Sequence, residues 1–390
     1  MSSILDSLRP QARLAPESGI VEIINAGREH PDLIPLWAGE GDLPTPGFIC
    51  EAAKQSLDRG ETFYTYQRGV PELRHALASY HTKMFGRAYS SEEFFVTGSG
   101  MQAIQIALQC LVGEGDELLY PAPAWPNLEA AAGVLGARAV PVAMTNSGDS
   151  WRLDLDALFD AIGPRTRAIG LNSPCNPTGW TATREELSAI LDECRKRDIW
   201  IIADEVYGHF FYGEGKLAPS FHDIADETDR IIFVNTFSKN WAMTGWRIGW
   251  ISAPPEMGQV LENLIQYSTS GVPVSSQRAA TAALEHGEAF LRQQIDRAAH
   301  GRHIVVEGLR KSPRITLGAP SGAFYAFFAV EGVSDSRQLA LDLVRETGVG
   351  LAPGSAFGVA GAEHVRLCFA RNAGHIEAAI GRIVQWIGAK

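Results

Sequence analysis

Between residues 233 and 250 the chain reads FVNTFSKNWAMTGWRIGW. Its two basic residues, Lys239 and Arg247, stand eight positions apart (247 − 239). Hydroxyls occur at Thr236, Ser238 and Thr244, among Trp241, Trp246, Ile248 and Trp250. Lys239 is either an ordinary solvated charge or an amine kept for covalent chemistry. A lysine partly withdrawn from water, or held beside another cation such as Arg247, has a lowered pKa. It then becomes a nucleophile able to form a Schiff base with a carbonyl. Arg247 can clamp a phosphate by charge-assisted hydrogen bonds, or simply pair with a carboxylate at a strand start.

Other segments offer matching chemistry. Asp204, in IWIIADEVYG, follows an apolar run, and a carboxylate there needs a partner to offset its desolvation. A cationic ring nitrogen would serve, and so would an internal salt bridge or a helix cap. TGSG at 97–100 opens a helical pattern, so its N–H groups can receive an anion or merely turn the chain. NSPCNPTG at 172–179 reads as a tight turn, and a cis proline in it would aim Asn176 inward. Trp125, in PAPAWPN, can stack on a flat ring or fill core.

The elements that must position these residues are legible in the hydropathy pattern. EFFVTGSG, DELLYPAP, ARAVPVAM, TRAIGLNSP, IWIIADEVYG, RIIFVNTF and RIGWISAP read as strands, with helical spacing between most of them. Apolar strands alternating with helices predict a mostly parallel sheet covered on both faces. In such sheets ligands bind at the carboxyl ends of the strands. Ser99 and Gly100, Asn172 and Asn176, Asp204 and Tyr207, and Thr236 to Lys239 all follow strand ends, so four strand ends converge on one crevice. Beyond the sheet, PPEMGQVLENLIQYSTS and SSQRAATAALEHGEAFLRQQIDRAAHGRHIVVEGLRKS predict helices, the second long enough to link domains. GAFYAFFAV and HVRLCFA predict strands, followed by a last helix near 375–388.

Bulk properties exclude several classes. The 390 residues carry 34 basic and 45 acidic side chains, net −11, with no basic cluster for a nucleic acid. Five scattered cysteines lack the paired spacing of a disulfide framework or zinc site. No apolar run approaches the roughly 20 residues that span a bilayer, and MSSILDSLRP is not a signal peptide. The expectation is a cytoplasmic protein of two domains without a metal.

SPCNPTG, ADEVYG, SKNWAMTGWRIGW, SGAFYAF and HVRLCFA, in this order, resemble the motifs of the class I/II aminotransferases of fold type I, which use pyridoxal phosphate. The similarity covers nearly all of the chain and is nearest the bacterial aspartate and aromatic aminotransferase branch. It implies an α/β architecture. A large domain over 47–285 would hold a mostly parallel seven-stranded sheet flanked by helices. A smaller α+β domain would be built from 1–46 and 286–390.

The resemblance also implies roles. Lys239 would form the Schiff base and shuttle the proton between the substrate α-carbon and the cofactor. Asp204 would pair with the pyridine nitrogen, and Asn176 and Tyr207 with the ring's phenolate oxygen. Trp125 would stack on the ring. Ser99, Gly100, Met101, Thr236, Ser238 and Arg247 would hold the phosphate, Met101 through its backbone N–H. Arg366 would grip the substrate carboxylate as a bidentate fork, with the Gly39 N–H and Asn176 beside it. Tyr64, with Tyr66 as its competitor, would reach the phosphate of a second subunit, so the implied state is a homodimer. Two departures stand out. Met101 occupies a position where relatives often carry lysine or a hydroxyl. Ala124 precedes Trp125 where tyrosine is common.

The implied reaction is amino-group transfer from an L-amino acid to a 2-oxo acid in ping-pong order. A carbon–sulfur β-lyase on the same fold is the alternative. A nucleotide-binding oxidoreductase using TGSG would need an acidic residue ending the next strand, and DELLYPAP ends in prolines and alanine. A non-catalytic relative would be expected to lack Lys239. Substrate choice is not readable, because no second cation is identifiable among Arg13, Arg28 and Arg68. The segments APESGIVEI and PGSAFG are expected to wall the substrate.

Overall fold

The computed structural model describes residues 4–28 and 30–390. Seven strands form the central sheet: β1 (Phe94–Thr97), β2 (Glu117–Ala122), β3 (Arg138–Ala143), β4 (Thr166–Asn172), β5 (Trp200–Asp204), β6 (Ile231–Thr236) and β7 (Gly249–Ser252). These are the seven segments expected from hydropathy. Their order is β1-β7-β6-β5-β4-β2-β3. Only β7 runs antiparallel to its neighbours β1 and β6, so the other six all point the same way.

Both faces of this sheet are covered, which is why its strands are apolar at successive positions. Leu118, Ala168, Ile202, Ile232 and Val234 pack on one side with helix Gly100–Leu111. Leu119, Ile169, Ile201, Ile231 and Phe233, their alternating neighbours, pack on the other with helix Arg184–Arg197. Fully burying one such isoleucine contributes roughly 1.5–3 kcal/mol. Local sequence sets the helix ends. Thr183 and Glu186 form a capping box at the start of Arg184–Arg197, and Asp198 ends it in a left-handed conformation at φ 57.

A second, four-stranded antiparallel sheet comprises β8 (Ile315–Leu317), β9 (Tyr325–Val330), β10 (Ala352–Pro353) and β11 (His364–Cys368), in the order β8-β9-β11-β10. The N-terminal segment joins it. Ile34–Pro35 pairs in parallel with Val349–Gly350, and the Cys368 N–H donates to the Leu36 carbonyl (2.9 Å). Helix Ala373–Ala389 ends the fold where the last helix was expected.

The long helix expected from 275 onward is in fact two, Val274–His286 and Glu288–Leu309. The break falls at Gly287. A Cβ there would lie 2.3 Å from the Ala283 carbonyl and 2.5 Å from Trp241 Nε1, so the chain passes only as glycine. Among the described residues no helix is long and apolar enough to cross a membrane.

Candidate active site

The C-terminal ends of β1, β4, β5 and β6 meet at one edge of the sheet. Asn172 lies opposite Asp204 in register, and Asp204 opposite Val234. Gly249 enters β7 between Thr97 and Thr236. A Cβ on Gly249 would stand 2.8 Å from the Gly100 N, so its glycine lets the helix start at Gly100 approach the sheet.

Lys239 sits on the single turn Phe237–Asn240 that follows β6. Thr236 caps this turn. Its Oγ1 accepts from the Ser238 N–H (3.2 Å) and donates to the Ile248 carbonyl (3.1 Å). Lys239 Nζ donates to the Gly39 carbonyl (2.8 Å) and lies 5.8 Å from the Tyr207 ring centroid. Burial brings its pKa down to about 8; Cys368 opposes that shift and Arg366 reinforces it. The cation acting on the lysine is therefore Arg366. Arg247, the neighbour suggested by sequence spacing, is exposed, and its NH1 donates to the Thr244 carbonyl (2.6 Å).

Asp204 is 9% exposed and has no cationic partner among the described residues. Its carboxyl group accepts a long hydrogen bond from the Val206 N–H (3.4 Å), and Asn172 Nδ2 donates to its backbone carbonyl (3.1 Å). Burial raises its pKa to about 7, against the pull of the Val206 N–H and Lys239. Neither a salt bridge nor a helix cap accounts for this carboxyl group.

Asn176 and Arg366 come together across 190 positions. Arg366 NH1 donates to Asn176 Oδ1 (2.9 Å), and NH2 donates to the Trp37 carbonyl. The Asn176–Pro177 bond is cis, as is Ser173–Pro174. Arg366, on β11, is 3% exposed, with its Nε unpartnered. Its guanidinium lies over Tyr325 (4.6 Å) and Phe357 (4.7 Å). Tyr325 is a site residue that sequence reasoning missed. Its hydroxyl is 2.8 Å from that of Tyr207, and a Cβ on Gly39 would lie 2.6 Å from it. The only signal was its place in SGAFYAF. The two expected wall segments do meet, since a Cβ on Gly19 would lie 3.0 Å from Ala356 Cβ.

The remaining positions rim the same edge. Ser99 caps helix Gly100–Leu111 through its Oγ, which accepts from the Gln102 N–H (3.1 Å). Gly100 and Met101 form the first turn, whose N–H groups have no partner within the helix. Trp125 is the partly buried residue before helix Pro126–Val134, beyond β2. Ala242 and Arg247 hold left-handed φ values of 53 and 51 without being glycine, a strain of order 1 kcal/mol each that is common at ligand sites. Tyr64 is 92% exposed and Tyr66 64%, on the loop between helices Gly47–Asp58 and Pro71–Phe85.

Pyridoxal phosphate fits these residues. An amine of lowered pKa faces the cleft, and a buried carboxyl without a cation awaits one. Hydroxyls and helix-start N–H groups offer an anion cradle, and a buried guanidinium retains an unpartnered Nε.

Comparison with known proteins agrees. The family model "Aminotransferase class I and II" matches residues 31–383. An aspartate aminotransferase of Pyrococcus horikoshii is 33% identical over 95% of this chain and 94% of its own. An arginine–pyruvate transaminase of Pseudomonas aeruginosa is 34% identical over 90% and 89%. The solved aspartate aminotransferase of Thermotoga maritima superposes with a TM-score of 0.91 at 30% identity, covering 98% of this chain and 100% of that one. These relatives are transaminases, and the β-lyase alternative gains no support from them. The chain belongs to the class I and II aminotransferases, pyridoxal-phosphate enzymes of fold type I, and lies in their aspartate branch.

Proposed function

We propose that Lys239 is the amine around which transamination turns, in two half-reactions that alternate at one site. One observation carries this reading. A half-buried amine, a buried carboxyl without a cation and a buried arginine share one cleft. When bound, pyridoxal phosphate supplies a carbonyl carbon that takes the amino group and a protonated ring that draws electrons from the substrate α-carbon.

The chain's own residues do the rest. Lys239 anchors the cofactor and then moves the proton off the substrate α-carbon, a role suited to a pKa near the working pH. Asp204 holds the proton on the ring nitrogen. Tyr207, oriented by Tyr325, and Asn176 hydrogen-bond the ring oxygen, and Trp125 covers the ring face. Ser99, Gly100, Met101, Thr236, Ser238 and Arg247 hold the phosphate. Arg366 grips the α-carboxylate of an L-amino acid or 2-oxo acid beside the Gly39 N–H. Residues 47–285 act as the large domain, and 1–46 with 286–390 as the small one.

We also propose a cytoplasmic homodimer in which Tyr64 completes the phosphate site of the second copy. The exposure of Tyr64, Tyr66 and Phe63 (85%) supports this, as do five free cysteines. Mixing the cofactor-loaded enzyme with each of the twenty amino acids, and following the cofactor absorbance, tests the reading and ranks donors. One or more donors should convert the absorbance without an oxo acid, and a 2-oxo acid should reverse it. Release of ammonia with pyruvate from cystathionine, with no oxo acid needed, would overturn it.

A further inference from the structure

Successive residues of a strand point to opposite faces of its sheet. The positions next to Asn172, Asp204 and Thr236 at the strand ends are Ser173, Glu205 and Asn235, and Asn240 follows Lys239 on the helical turn Phe237–Asn240. All four line a separate cavity of about 30 Å³, together with His209, Ser220 and an apolar wall that includes Phe85 and Trp250. The pyridoxal-phosphate cleft therefore has a largely apolar chamber behind it, into which these few polar groups reach from the same strand ends.

Two groups in this chamber have no use in the mechanism above. Asn240 is 3% exposed, and its Oδ1 has no hydrogen-bond partner in the protein. A buried acceptor left unsatisfied costs about 1–3 kcal/mol, so such atoms are almost always bonded to protein or water. The second group is Glu205. Its Oε1 and Oε2 lie 2.9 and 2.7 Å from Ser220 Oγ, and Oε1 accepts a longer bond from the Phe221 N–H (3.3 Å). No cation pairs with it among the described residues. Burial raises its pKa to about 8, which leaves the carboxyl group protonated, and so a donor, at neutral pH. A cavity of 30 Å³ exceeds the ~10–15 Å³ that one water requires, and the chamber offers the two to four polar partners a water needs.

We infer that Glu205 is a positioning residue for transamination: through water held in this chamber its carboxyl group hydrogen-bonds Asn240 Oδ1 and so fixes the turn that carries Lys239. Asn240 is the last residue of that turn, directly after Lys239. A proton transfer at Lys239 needs its amine within a narrow geometry, and displacements near 1 Å can cost about 100-fold in rate. Glu205 touches neither substrate nor cofactor and acts only through Asn240. The inference rests on the reading of Lys239 as the catalytic amine.

The test uses cofactor-loaded enzyme carrying Glu205→Gln, Glu205→Leu, Asn240→Ala and the double change Glu205→Leu with Asn240→Ala. Borohydride labelling of the wild type comes first, since failure to label Lys239 there defeats the underlying reading, and this inference with it, before any variant is compared. With the label on Lys239, Glu205→Leu and Asn240→Ala should each slow the half-reaction about 10-fold or more at unchanged KM. Both should also shift the pH at which the lysine-bound cofactor changes absorbance. The double change should be no worse than either alone, because both act through one bridge. Glu205→Gln, which keeps a neutral donor, should restore the rate to within about threefold. Full additivity of the two single losses, or a Glu205→Gln as slow as Glu205→Leu, would overturn the inference. So would folded variants with native rate and absorbance.

Discussion

Lys239 Nζ donates a 2.8 Å hydrogen bond to the carbonyl of Gly39, a residue 200 positions earlier in the chain. Gly39 belongs to the N-terminal segment that joins the four-stranded sheet, and Lys239 to the end of the seven-stranded one. The contact places the amine between the two sheets, close to Arg366, whose charge lowers its pKa further.

Arg366→Ala should raise the KM for the amino-acid substrate by roughly 10- to 100-fold, the worth of a charge-assisted pair of about 1.5–3 kcal/mol. Cofactor retention should change far less. Arg366→Lys should rescue poorly, since an ammonium cannot reproduce the guanidinium fork that faces both Asn176 and the Trp37 carbonyl. Steady-state kinetics decide this, and an unchanged KM removes Arg366 from the substrate site.

In cofactor-free protein the Asp204 carboxyl group should contribute less stability as pH rises from about 4 through 7. Burial raises the Asp204 carboxyl from 3.8 to about 7, so the folded state holds a proton that the unfolded chain has released. Stability from this group is full below the unfolded value and gone above the folded one, with a slope of up to ~1.4 kcal/mol per pH unit. Asp204→Asn should flatten that part of the profile by about one proton. Thermal midpoints of the two cofactor-free proteins across pH 4–8 measure it, and parallel profiles would contradict it.

On the acid side the buried histidines act in the opposite sense. Burial lowers His81 to about 3 and His209 to about 4, and His222 well below its usual value. These rings stay neutral when folded but protonate when unfolded. Their stability is fully present above about pH 6.5 and lost as pH falls toward 3–4, up to ~1.4 kcal/mol per unit for each ring. His209→Gln keeps a partner for the Tyr80 hydroxyl, 2.5 Å from His209 Nε2. It should remove about one proton from the acid slope between pH 6.5 and 4. Denaturant unfolding at pH 7 and pH 5 checks this, and an unaltered difference would contradict it.

The sheet was legible because both its faces are buried, so each strand announces itself as an apolar run. The strand-end residues were legible for the same reason: Asp204 and Lys239 are polar where the run stops. The break at Gly287 was hidden because helical spacing continues across it, and only the approach of Trp241 and the Ala283 carbonyl forbids a side chain there. Tyr325 was hidden because it sits in an apolar strand, and its hydroxyl meets Tyr207 only after the two sheets pack. Sequence distance also misled about the cation near Lys239. Arg247 is close along the chain, whereas Arg366 is the one the fold brings near.

The most direct measurement is borohydride reduction of the cofactor-loaded enzyme followed by peptide mapping. The account predicts one reduced pyridoxyl group per chain, on Lys239, with none on Lys239→Ala and transamination lost in that variant. A label on another lysine, or a Lys239→Ala enzyme that still transaminates at the native rate, would contradict it.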